Sequence, residues 1–140
     1  MSLLRSCVLV TVLVLTSACR APLGPTAMLE GTWAGAIADS TAGAGTATLT
    51  IAQVGQGLTG TWSETFGGGT APTTGSLSGS VSGSKVSLFL TPATPLVCSS
   101  STTLTGTLGV TATTAGNRLQ GTYVVLTCTG GTNGTIDLTK

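Results

Sequence analysis

Glu30, Asp39, Glu64 and Asp137 are the only carboxylates in 140 residues, against five Lys or Arg and no histidine at all. Acid–base catalysis by carboxylates needs two of them within several ångströms of each other. Missing histidine removes the commonest general base and metal ligand. Asp39 and Glu64 fall near hairpin ends and could share a rim, but carboxylates in such turns are ordinarily solvated, and that reading is preferred. Serine is plentiful, yet only Lys85 could activate one, and Ser82-Gly83-Ser84-Lys85 reads better as a tight turn. Gly67-Gly68-Gly69 is followed by neither a helix nor a lysine, so it is a loop and not a phosphate cradle. No enzyme activity, cofactor or metal is expected. A net charge of +1 also leaves no basic field for nucleic acid.

Cysteine is the remaining chemistry. Arg5, the apolar run Cys7 to Leu15 and the small residues Thr16-Ser17-Ala18 form a secretory signal pattern. The run is about half of the roughly 20 apolar residues that a membrane-spanning helix needs. Leu15-Thr16-Ser17-Ala18-Cys19 resembles a bacterial lipobox, with Thr16 where Leu is usual. That resemblance implies cleavage before Cys19, lipidation of its thiol and, with Arg20 following, sorting to the outer membrane. Cleavage after Ala18 with an unmodified Cys19 is the alternative. Cys98 and Cys128 then remain as an even pair, which in an exported protein reads as a disulfide. A two-cysteine metal site is the sharper alternative, but no histidine or nearby carboxylate completes it. The expected organisation is a signal peptide over 1–18, a lipidated cysteine and Pro/Gly tether over 19–29, and one domain over 30–140.

The elements of that domain follow from a repeated strand grammar. Gly, then Thr or Ser, then a bulky apolar residue recurs from Gly31-Thr32-Trp33 to Gly134-Thr135-Ile136, with uneven spacing. Glycine and the bulky residue lie two apart and share one face of a strand, while Thr and Ser take the other. Period-two reading predicts eight strands, near 32–38, 46–53, 58–64, 74–81, 85–90, 102–110, 119–127 and 135–139. Short turn-rich connections make neighbours antiparallel. The predicted fold is therefore all-β, an eight-stranded antiparallel up-and-down (meander) barrel, closed because closure removes the exposed edges. Inward-facing residues run from Trp33 and Ile37 through Leu58, Trp62 and Leu88 to Val125, Ile136 and Leu138. Inner-face glycines either let the strands coil tightly or leave a cavity.

Gly31-Thr32-Trp33 opening the first strand and Lys140 ending the last resemble the lipocalin and avidin group of barrels. Leu58-Thr59-Gly60-Thr61-Trp62, Thr102-Thr103-Leu104 and Leu138-Thr139-Lys140 are similar to avidin strands in particular. The resemblance implies that Trp33 plugs the barrel floor with a terminal basic residue packed near it. The avidin biotin site does not carry over. Gly35 stands where an asparagine is expected, Glu64 where a serine is, and Ile136 where an aspartate is. Tryptophans expected near Val86, Leu104 and Val124 are missing, and Trp62 replaces a tyrosine. Avidin-type biotin binding is not expected, because a ureido group needs several converging polar partners.

Two function classes follow for this expected cell-envelope lipoprotein. In one, a small apolar ligand enters the open barrel end past Trp62 and Tyr123, with Leu104 and Leu119 also facing it. In the other, the core is filled, and protein partners of unknown kind meet the Thr-rich exterior or the loops. An apolar cavity of a few hundred cubic ångströms separates the two.

Overall fold

Alternating residues decide the architecture. The computed structural model describes residues 26–67, 71–97, 103–104, 107–128 and 130–140. Eight strands close into a barrel: β1 (Gly31–Asp39), β2 (Gly43–Val54), β3 (Gly57–Phe66), β4 (Thr73–Ser82), β5 (Lys85–Pro92), β8 (Leu108–Ala115), β9 (Arg118–Thr127) and β10 (Gly130–Thr139). Each pairs antiparallel with its neighbour in the meander, and β10 returns to pair with β1. A two-stranded ribbon of β6 (Leu96–Val97) and β7 (Thr103–Leu104) sits within the β5–β8 connection. No helix occurs among the described residues.

The sixth barrel strand differs from expectation. Thr103 and Leu104 belong to the ribbon, and the barrel strand runs Leu108–Ala115. Positions 104, 108, 110, 112 and 114 share one phase, so alternation could not say where the strand begins. The two-residue turn Gly116-Asn117 does, because it fixes the β8–β9 register and pairs Ala115 with Arg118. Gly55, Gly83 and Gly116 open the two-residue turns at this same barrel end with φ near +60° (60°, 59° and 59°), the left-handed region that glycine reaches without steric cost.

That end is sealed. Trp33 and Leu29 are fully buried there, and the Trp33 indole Nε1–H donates to the Leu29 carbonyl at 2.7 Å. Gln53 ties the incoming chain down: its Oε1 accepts from Leu29 N at 2.7 Å, and its Nε2 donates to Ala27 O and Gly55 O. Ala27 N in turn donates to Gly83 O. The Lys140 ammonium donates to the Glu30 carbonyl, and its stem packs on Gly31. The expected tether therefore ends sooner than at Leu29, since Ala27 and Leu29 belong to the packed barrel. Met28 and Leu29 stand side by side after a Pro/Gly-rich stretch and make no alternation, so nothing local marked Leu29 as core.

Candidate functional site

The opposite end is open. Between the strands' other termini lies a cup of about 660 Å³. Trp62, Leu108 and Tyr123 border both this cup and a residual void of only about 10 Å³ beneath it, so they form the floor between the mouth and a filled lower core. The inner-face glycines chiefly serve close strand approach. Gly75 lies across from Trp62, and a Cβ there would meet its indole Nε1 at 2.7 Å. Gly134 lies between Asp39 on β1 and Tyr123 on β9, and a Cβ there would run into the Tyr123 ring. Because that side chain is missing, the phenol crosses over Gly134 and donates to Asp39 Oδ2 at 2.9 Å.

Asp39 and Glu64 face this cup because each continues its strand's inward phase, Trp33–Gly35–Ile37–Asp39 and Leu58–Gly60–Trp62–Glu64. Asp39 Oδ1 accepts from the backbone N–H groups of Thr41 and Ala42, and Oδ2 accepts from Tyr123 and Thr132. Burial pulls its carboxyl upward, but these four donors outweigh burial and hold it below the usual carboxylate range. Glu64 has no such support. Among the described residues its Oε2 is buried without a hydrogen-bond partner. Burial, and then the charge of Asp39, push the Glu64 carboxyl up to about 7. Tyr123 is pushed well above the ordinary phenol range, by burial first and then by its bond to Asp39 and the two carboxylate charges. It stays a protonated donor.

The other carboxylates lie elsewhere. Asp137 is on the outer face, bridged by Arg118 at 2.8 and 2.6 Å and by Gln120, and exposed Glu30 lies at the sealed end. Among the described residues no group of three or more His, Cys, Asp or Glu is placed to hold a metal ion.

The structure thus brings Trp62 and Tyr123 together at the cup and places Trp33 at the sealed end. Leu119 does not line the cup; it is fully buried opposite Leu138, near the sealed end. Leu104 lies in the ribbon and outside the barrel's strand order. Cys19 and Cys98 are outside the described residues, and Cys128 stands in the turn that follows β9 at the open end. Sequence reasoning placed Asp39 and Glu64 at hairpin ends and read them as solvated. The signal that would have put them inside was their phase, two residues beyond Ile37 and Trp62.

Comparison with protein-family models, with curated proteins and with solved structures finds no match to this chain. The closed eight-stranded antiparallel barrel is consistent with a calycin-like fold.

Proposed function

We propose that this protein is a non-catalytic, lipid-anchored binding protein of the bacterial cell envelope, holding one small molecule with an apolar body in the open cup. The observation that carries this reading is the cup itself: about 660 Å³ over a floor of Trp62, Leu108 and Tyr123, within the size range of small-molecule pockets. Support for the anchor is the lipobox resemblance around Cys19. The entry of the chain is consistent with it: Ala27 is locked at the sealed end, so the eight residues 19–26 would form a leash of up to ~28 Å. The mouth would then face away from the lipid. A Cys98–Cys128 disulfide would join the ribbon-bearing connection to the end of β9, next to the cup.

The test is titration with the neutral apolar dye N-phenyl-1-naphthylamine. One saturable site with enhanced dye fluorescence is expected. Thr73→Trp should abolish it without loss of fold, because Thr73 is exposed at the mouth opposite Glu64. Absence of binding to the wild-type protein would overturn the reading. A second reading, a barrel that meets protein partners through its exterior, is favoured by one observation. Phe89, Gly109 and Val124 form a row across three strands, with Phe89, Val124 and Leu126 more than half exposed.

A further inference from the structure

We infer that the molecule held in the cup carries a protonated amine on its apolar body, and that the amine sits against Glu64 and Asp39. The inference rests on the binding reading above and names the chemical class of the ligand.

Three independent features of the cup converge on it. The first is a poorly supported carboxyl: Glu64 lines the cup, and its Oε2 is buried with no hydrogen-bond partner among the described residues. A carboxylate with so little support is costly to ionise, and a cation held against the cup side of the group would offset that cost. The second is the sign of the field. Asp39 and Glu64 both line the cup, and among the described residues no Lys or Arg does. The strands that flank Glu64 offer no compensating charge, for Ala47 stands opposite it on β2 and Thr73 on β4. Asp39 from β1 and Tyr123 from β9 are the titratable groups that face it. Asp39 already accepts four hydrogen bonds that stabilise its charge, so it remains an anion at neutral pH and repels a second one. A cation relieves that repulsion, whereas a neutral or anionic ligand does not. The third is the surface on which the ligand would lie: Trp62, Tyr123 and Phe66 line the same cup, and aromatic faces attract ammonium groups.

A carbonyl ligand would need Glu64 protonated as a donor. With the carboxyl pushed up to about 7 by burial and by Asp39, a cation has only to displace a weakly held proton to gain a charge-assisted pair.

A matched pair of probes tests the inference, 1-naphthylmethylamine and 1-naphthylmethanol, which share the ring system and differ in the amine. At about pH 8 the amine stays protonated, as alkylamines do, and should bind at least about tenfold more tightly than the alcohol. Between about pH 8 and pH 5.5 the amine's affinity should fall about tenfold as Glu64 takes up a proton, while the alcohol's stays level. Glu64→Gln should remove most of the preference and the pH dependence. Equal binding of the two probes by the wild type, or a preference untouched in Glu64→Gln, overturns the amine assignment while leaving a binding cup. If neither probe binds, the binding reading falls and the amine assignment falls with it.

Discussion

Glu64 is the residue at which stability and site chemistry pull in opposite directions. Its carboxyl is pushed up to about 7 in the folded protein, from an ordinary value of 4.5. The folded state therefore holds this proton more tightly than the unfolded chain does. Below about pH 4.5 both states are protonated and the group costs nothing; as pH rises to 7, the unfolded chain ionises first and stability falls. Glu64→Gln should raise stability at about pH 8 by about 1–2 kcal/mol, allowing for the part of the side chain that water reaches, and change little near pH 4.5. Thermal melts of both proteins across that range check the sign; a variant less stable than the wild type at pH 8 would contradict it. Trp33 makes the opposite case, a residue that only stabilises the fold, by packing and by one hydrogen bond. It is fully buried with its N–H satisfied, so Trp33→Ala should cost about 3–5 kcal/mol in a denaturant melt. These residues also show what the sequence could reveal. Trp33 was legible because Gly-x-Trp opens a strand in the right phase. Glu64 had the same phase relation to Trp62, but a charged residue at a strand end reads as solvated unless the alternation is followed past the last apolar position.

At the scale of elements, seven of the eight barrel strands were legible from period-two alternation, since each alternates buried apolar or glycine positions with an outward face of small, polar or scattered apolar residues. The sixth was displaced because its inward residues shrink to Ala112 and Thr114, which carry little hydrophobic signal although both are buried. The sealing segment was illegible for another reason. Ala27 and Leu29 are held by hydrogen bonds to Gln53 and Gly83, which lie 24 or more residues along the chain, and no local pattern encodes such a contact. Gln53 is the hub of that seal. Gln53→Ala should cost about 1–3 kcal/mol by leaving Leu29 N and Ala27 O unpaired. By hydrogen exchange, the Leu29 amide should be protected in the wild type and exchange much faster in the variant. Equal protection in both would mean that apolar packing of Leu29 alone closes this end.

For the whole molecule, the two ends of the barrel are built differently. One end is closed by Trp33, Leu29 and the incoming chain, and the other opens as a cup above Trp62 and Tyr123. The void beneath the cup is only about 10 Å³, too small for a ligand, so a bound molecule would lie in the mouth. If Cys19 carries lipid, Cys19→Ser should shift the protein from the membrane to the soluble fraction with its melting temperature unchanged, because the anchor precedes the packed residues. Recovery of both forms in the soluble fraction would contradict the anchor. The two tryptophans provide a direct test of the cup, since one marks each end. Their indole N–H signals in a ¹⁵N-labelled sample are to be followed as 1-naphthylmethanol is added. The predicted result is a saturable shift of the Trp62 signal, whose hydrogen bond to Thr91 O is long at 3.4 Å, while the Trp33 signal stays in place. Two unmoved signals, or a shift of Trp33 alone, would contradict a binding cup at the open end.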